Sequence, residues 1–254
     1  MRDVLIWNLA ALMLLCVLAA PLPLAAQSPP APAPWMQLII VHVEPAMVDE
    51  YIAVQREITA RVKKAGPPWR IVSRTEVFGD TYRFLIVTPV QNLASFDAKN
   101  SDSELAALNS RVQRYVTSQR SYAIRTLPEI DNPLPDKEQP NLIVVNMVRV
   151  APGREQDYFN VMKSDFLPHF NKAEVHHVNG TLTFGGEGGY IHQFYVKDFA
   201  KLDEGSPVVK ALGAAGAQAV TAKLAGIVTS SELWTARLIP DLSYGPWSAP
   251  PPTK

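Results

Sequence analysis

The sequence contains one pattern of residues twice. LIIVH at residues 38–42 corresponds to LIVVN at residues 142–146, and Tyr51 and Tyr158 follow them at the start of a helical stretch. Further matches occur in the same order along both copies: 78–80 with 184–186, 93–97 with 199–203, and 125–130 with 237–242. Because the order of matches is preserved throughout, the chain is predicted to consist of two related structural units.

Within each copy the residue periodicities predict six elements in the order βαββαβ. Segments 36–44 and 142–150 are rich in Val and Ile, as strands are, and apolar residues at helical spacing follow each of them. Two strands joined by a glycine-containing hairpin, a second helix and a last strand complete each copy. This order is that of a four-stranded antiparallel sheet with two helices on one face. We therefore predict an α+β fold of two ferredoxin-like repeats, at residues 36–127 and 141–242.

The segments outside the repeats are predicted to be processing and linking sequences. Arg2 precedes the apolar run Val4 to Ala20, and small residues follow, which is typical of a secretory signal peptide at residues 1–26. An uncleaved membrane anchor is the alternative. The other predicted segments are a Pro/Ala-rich spacer at 27–35, a linker at 128–140 and a Pro-rich tail at 243–254. We expect the mature protein in the periplasm or outside the cell, free of the membrane after cleavage.

Composition argues against several kinds of partner. The chain has 24 basic and 24 acidic residues, so it has no net positive charge to attract nucleic acid. Cys16 is the only cysteine and lies in the predicted signal peptide, so no disulfide or thiolate site is expected in the mature chain. His176 and His177 are adjacent on a predicted strand and would point to opposite faces. We therefore predict no metal site and no dedicated cofactor.

The order of elements, the Tyr at the start of each first helix and the VAPGRE turn at residues 150–155 resemble the dimeric α/β-barrel superfamily. This superfamily includes antibiotic-biosynthesis monooxygenases, stress-responsive barrels and haem-degrading monooxygenases. The resemblance covers both repeats and implies that two such units pack their open sheet faces into a barrel. A tandem chain is expected to form that α/β barrel within one molecule, which would explain why 142–148 is apolar on both faces.

Asn146 is the first candidate site residue, because an amide inside an apolar strand needs a partner or a function. Some relatives of this fold pair such an Asn with a Trp and a His from the second helical region. Here Leu202 stands in the expected Trp place and no histidine follows Lys197, so haem degradation is not implied. His42 matches Asn146 in the first copy and is predicted to share its face. The two side chains then line one cavity, or bond each other or buried water.

His192 is the second candidate, on the strand expected to lie beside 142–148. Its predicted counterpart is Phe84, so an apolar position has become titratable in the second copy, which favours that copy as the ligand-binding half. A histidine at the rim of the hairpin is the alternative. The candidate catalytic residues are Asn146 and His192, and the candidate ligand-binding residues are His42, Asn146, Tyr190, His192 and Trp234.

These residues predict an exported protein that binds a small apolar or aromatic molecule in its barrel. One alternative is a cofactor-independent monooxygenase or isomerase in which Asn146 and His192 polarise or deprotonate a phenolic substrate. Another is a structural module whose interior is filled by side chains. Fold analogy alone supports catalysis, so the sequence does not decide whether the protein is an enzyme. Both a monomer and a homodimer fit a tandem barrel.

Overall fold

The computed structural model describes residues 35–97, 102–135 and 138–245. The predicted signal peptide, the spacer up to residue 34 and the tail from residue 246 lie outside the described residues. No helix within the described ranges is both long enough and apolar enough to span a membrane.

The described chain alternates strands and helices in the predicted order, with several one-turn helices between them. The strands are β1 (Trp35–Val43), β2 (Ile71–Thr75), β3 (Arg83–Val90), β4 (Val116–Thr126), β5 (Leu142–Val150), β6 (His176–Phe184), β7 (Gly189–Val196) and β8 (Val228–Leu238). The α-helices are α1 (Val48–Ala65), α2 (Ser103–Val112), α3 (Glu155–Val161), α4 (Leu167–Lys172), α5 (Phe199–Asp203) and α6 (Pro207–Ala222). A π-helical turn (Met162–Phe166) joins α3 to α4, and 3-10 turns occur at Pro45–Met47, Leu93–Phe96, Gln113–Tyr115, Pro128–Ile130 and Pro240–Leu242.

The eight strands form one closed antiparallel barrel in the order β1-β3-β2-β8-β5-β7-β6-β4, with β4 returning to β1. Two seams join its halves. In one, β2 pairs with β8 from Ser73↔Leu238 to Thr75↔Ala236, and in the other β4 pairs with β6. The prediction of an α+β chain that closes an α/β barrel is therefore confirmed.

Both faces of the strands β1, β3, β5 and β7 are largely buried, for different reasons. Alternate strand residues fill the barrel interior, as in other small barrels; they are Leu38, Ile40, Leu85, Val87, Tyr122, Ile124, Ile143, Val145, Met147, Leu182, Ile191 and Trp234. The residues between them face outward, where α1 and α2 cover β1 and β3, and α3 packs on β5 and β7. This arrangement accounts for the apolar residues on both faces of β1 and β5.

Local sequence fixes where the helices begin. Asp102 precedes α2, and its carboxylate accepts a hydrogen bond from the Leu105 N–H at 3.0 Å. Asp198 and Ser206 cap α5 and α6 in the same way, through the N–H groups of Lys201 and Val208. These caps satisfy N–H groups that have no partner within the helix.

Gly189 gives a test of how closely β5 and β7 approach. A Cβ at this position would lie 2.1 Å from the Val148 carbonyl oxygen, whereas one at Gly188 would meet nothing within 4 Å. We expect Gly189→Ala to lower the free energy of unfolding by about 1–3 kcal/mol. Gly188→Ala, the matched control, should change it by less than about 0.5 kcal/mol in urea denaturation. Equal effects of the two substitutions would contradict this packing.

Candidate ligand-binding site

A cavity of about 680 Å³ lies on the outer face of β5, β7 and β8, under the helices of the second half. We name it the helix-side cavity. Its floor comes from the three strands, and its walls come from α3, the π-helical turn, α4 and the segment around α5 and α6. The lining is Val144, Asn146, Val148, Tyr158, Met162, Phe166, Phe170, Ala173, Val175, Phe194, Val196, Lys201, Leu202, Glu204, Gly205, Ser206, Pro207, Val208, Lys210, Thr221, Leu224, Ala225, Val228, Ser231 and Leu233.

One wall owes its shape to the π-helical turn. The Leu167 N–H donates to the carbonyl of Met162, five residues back, instead of four. Pro168 follows and has no N–H, so the regular helical bond to the Ser164 carbonyl cannot form there. Met162 and Phe166, at the two ends of the widened turn, both line the cavity.

Asn146 places a hydrogen-bond donor in this largely apolar surface. Its Oδ1 accepts a hydrogen bond from the Ser231 hydroxyl at 2.7 Å, which fixes the orientation of the amide. Its Nδ2 donates to no acceptor among the described residues, and the side chain is half-buried at the cavity floor. A directed polar group in an apolar cavity is what orients a ligand in small-molecule sites.

His192 lies directly across from Asn146 in the β5–β7 register, but it is fully buried and does not line the cavity. Its Nδ1 is 2.7 Å from Asn179 Oδ1, and its Nε2 is 2.8 Å from the Tyr158 hydroxyl. Because an amide oxygen only accepts, Nδ1 carries the hydrogen and the Tyr158 hydroxyl donates to Nε2. His192 therefore acts on the cavity only through Tyr158, whose ring lines it.

The same hydrogen-bond network continues away from the cavity. The Asn179 amide lies 2.9 Å from Asp131 Oδ1 and donates to His177 Nδ1 at 3.0 Å; His177 Nε2 donates to Asn171 Oδ1 at 2.8 Å. Burial lowers the pKa of His192 to about 3 and that of His177 to about 4. Both rings are therefore neutral at pH 7 and have satisfied nitrogens, as buried polar groups in proteins do.

Three predicted ligand-binding residues lie outside the cavity lining. Trp234 is packed in the barrel interior. Tyr190 is buried against Tyr158, with ring centroids 4.6 Å apart, and its hydroxyl donates to the Glu155 carbonyl at 2.8 Å. His42 lies at the end of β1, where its Nδ1 is 2.5 Å from Asp80 Oδ2. Of the five predicted residues, Asn146 is therefore the one that reaches this cavity.

His42 and Asn146 face opposite sides of the sheet, which corrects the prediction that they share a face. His42 follows Leu38 and Ile40 on the barrel side, whereas Asn146 lies between Val145 and Met147, which point inward. The pairing of β1 with β4 is irregular just after His42, and the pairing of β5 with β8 is irregular just after Arg149. When these two irregularities are aligned, Arg149 is the residue that corresponds to His42.

The same alignment changes which residues of the first half correspond to Asn146 and His192. When the two irregularities are aligned, Asn146 and its strand neighbour His192 occupy the positions that Ile39 and Ile86 have in the first half. Phe84 instead corresponds to Tyr190, since Val41↔Phe84 matches Val148↔Tyr190. The second half thus has two polar side chains where the first half has two apolar ones.

The cavity lining lacks the commonest haem ligand. A haem iron is commonly held by histidine, and none of the residues that line the helix-side cavity is histidine. The nearest buried one, His192, has both ring nitrogens engaged by Asn179 and Tyr158. Among the described residues no cluster of three or more His, Cys, Asp or Glu side chains could hold a metal ion. The absence of a dedicated cofactor stays a prediction.

Comparison with known proteins defines the class of fold. No protein-family model matches the sequence, and no curated protein does. Similar solved structures include a candidate monooxygenase from Lactobacillus acidophilus NCFM, with TM-score 0.57 and 14% identity over 84% of this chain and 97% of that chain. An anthrone oxidase-like protein matches with TM-score 0.58 and 12% identity, over 82% of this chain and 92% of that one. A variant of chlorite dismutase from Candidatus Nitrospira defluvii matches with TM-score 0.55 and 8% identity, over 83% and 93%.

The present chain shares its fold, a closed antiparallel β-barrel with helices on the outside, with these solved structures. Identities of this size establish the fold alone, and the chemistry must be argued from the cavity.

The buried histidines predict an acid-sensitive fold. In the unfolded chain a histidine takes up a proton near pH 6.5, but in the folded protein His192 does so only near pH 3, so stability is lost as the pH falls below 6.5. His177 acts in the same direction, whereas burial raises the pKa of Asp131 to about 6 and opposes part of the loss.

His192→Phe removes one of these groups. The slope of unfolding free energy against pH, measured by urea denaturation between pH 6 and 4.5, should then fall by about one proton, or about 1.4 kcal/mol per pH unit. An unchanged slope would show that His192 is protonated in the folded protein.

Proposed function

We propose that the protein binds a small aromatic molecule in the helix-side cavity and that an oxygen of this molecule accepts a hydrogen bond from Asn146. The observation that carries the proposal is the Asn146 amide nitrogen, which has no acceptor among the described residues and lies in the floor of a largely apolar cavity. The volume of about 680 Å³ lies within the roughly 300–1,000 Å³ of small-molecule sites.

The walls support an aromatic ligand. Phe166, Phe170, Phe194 and Tyr158 line the cavity, and such rings favour offset or edge-on packing with another ring. The Ser231 hydroxyl already donates to the Asn146 oxygen, so the group of this amide that has no partner among the described residues is its N–H. A ketone, phenol or phenolate oxygen would satisfy this donor, whereas a pure hydrocarbon would leave it without a partner.

Oxidation of the bound ring by O₂ without a dedicated cofactor is the second candidate function. The fold neighbours described as monooxygenase and anthrone oxidase-like support it. In such a reaction a ring CH₂ and O₂ give a ketone and water, and Asn146 would stabilise negative charge that develops on the substrate oxygen. His192 does not contact the cavity, so the deprotonating role considered for it is not part of this proposal. An isomerase would use the same oxyanion contact.

We further propose that the chain is a tandem of two ferredoxin-like repeats, at 36–127 and 141–242, joined by 128–140. The strand orders β4-β1-β3-β2 and β8-β5-β7-β6 support this, because each is the order of a split βαβ sheet. Tyr51 against Phe84 repeats the contact of Tyr158 against Tyr190. The apolar run near the N-terminus supports export to the periplasm or beyond.

Asn146→Leu tests the ligand contact. Binding of 1-naphthol to the purified chain should weaken about tenfold, because one hydrogen bond of about 1–1.5 kcal/mol is lost. Binding of naphthalene, which has no oxygen, should be unchanged or tighter, and so serves as the matched control in calorimetric titration.

Two outcomes would count against the proposal. If neither compound binds the unsubstituted chain or raises its melting temperature, a structural barrel without a ligand is the better account. If the substitution weakens both compounds equally, Asn146 shapes the cavity and does not recognise oxygen.

A further inference from the structure

A second cavity, of about 670 Å³, adjoins the helix-side cavity near the start of β6 and the end of β7. We name it the outer chamber. Its walls are more polar and include Glu138, Asn141, Glu174, His176, Lys197 and Asp198. The two cavities share four lining residues, Val175, Val196, Lys201 and Glu204. A polar chamber thus meets an apolar one at a boundary that α5 helps to form.

Ion pairs hold this boundary together. The Glu204 carboxylate accepts hydrogen bonds from Lys210 at 2.8 Å and from Lys201 at 3.0 Å. These bonds keep the pKa of Glu204 below its usual range, so the carboxylate is charged at neutral pH. All three side chains are about half exposed, and pairs of this kind break easily. The Glu204–Lys210 ion pair links residues on either side of Gly205. The Glu204–Lys201 ion pair, in contrast, lies within the helical turn that precedes Gly205.

Glycines with positive φ stand at both ends of the segment that follows Glu204. Gly205 has φ 83°, and Gly213 has φ 69° with ψ 172°, a conformation that interrupts α6. A Cβ at either position would meet nothing within 4 Å, so the backbone conformation and not crowding calls for glycine. Such positions can absorb the rotation of a hinged segment.

The segment between the glycines is weakly attached to the rest of the protein. Val208 is its buried residue, 4% exposed, and lines the helix-side cavity. Val209 and Leu212 in the same segment are 45% and 40% exposed. A segment with one buried apolar side chain opens at lower cost than the core around it.

We propose that residues 204–213 form a gate between the outer chamber and the helix-side cavity, and that the Glu204–Lys210 ion pair holds it closed. An aromatic ligand reaches the helix-side cavity from the outer chamber when this segment rotates about Gly205 and Gly213. This proposal rests on the proposed function of the helix-side cavity.

Stopped-flow fluorescence with N-phenyl-1-naphthylamine, a neutral aromatic probe, tests the gate on the purified full-length chain. The observed association rate should reach a plateau at high probe concentration, because gate opening becomes limiting. Glu204→Gln should raise both that plateau and the dissociation rate at least threefold. Glu57→Gln is the matched control, since Glu57 forms an ion pair with Arg111 in the first half.

Two lysine variants separate the gate from a general effect of charge. Lys210→Met removes the pair that crosses Gly205 and should accelerate both rates as Glu204→Gln does. Lys201→Met removes an equal charge but leaves the Glu204–Lys210 ion pair, so both rates should change clearly less.

Three outcomes would contradict the gate, and they show whether the binding site fails with it. If the probe does not bind the unsubstituted chain, the proposed function fails and the gate with it. If the probe binds but Glu204→Gln and Lys210→Met stay within twofold of Glu57→Gln in both rates, the gate is overturned while the binding site stands. A change in Kd with constant association rates would also overturn it, because the segment would then be a fixed wall.

Discussion

Two antiparallel seams, β2 with β8 and β4 with β6, join the strands of the first half to those of the second and close one eight-stranded barrel. Closure buries the inward-facing residues of the strands and pairs the edge strands of the two halves along these seams. The outward residues must then be covered by helices, since the first strand of each half is apolar on both faces. In the second half α3 packs on β5 and β7, and the space left between the other helices and β5, β7 and β8 is the helix-side cavity. The candidate binding site is thus a consequence of how the outer face of a closed barrel is covered.

A buried polar network stiffens one wall of that cavity. Tyr158, His192, Asn179 and His177 form a chain of hydrogen bonds in which each donor has an acceptor. Asp131, in the segment between the halves, bonds the backbone and the amide of Asn179. Fully satisfied networks of this kind favour one arrangement of the core, whereas partly satisfied ones are costly. Holding Tyr158 in place is therefore the role that the geometry gives to His192.

Much of the fold was predictable from periodicity, and less of the site was. The Val- and Ile-rich strands, the helical spacing after them and the closure into a barrel agree with the structure, and Asn146 does line a cavity. Alignment of the two copies by sequence predicts that His42 corresponds to Asn146. The irregularities in strand pairing change this correspondence, and a displacement by an odd number of residues moves a side chain to the other face of the sheet. The depth of His192 depends on packing between elements, which a single sequence does not encode in any local pattern.

The most direct test of the account is the position of a bound ligand. Crystals of the protein grown with 6-bromo-2-naphthol would locate the bromine by anomalous scattering. The account predicts the ring against Phe166 and Phe194 on the outer face of the sheet, with its oxygen within hydrogen-bond distance of Asn146 Nδ2. A ligand inside the barrel beside Trp234, or one in the helix-side cavity whose oxygen points away from Asn146, would contradict it.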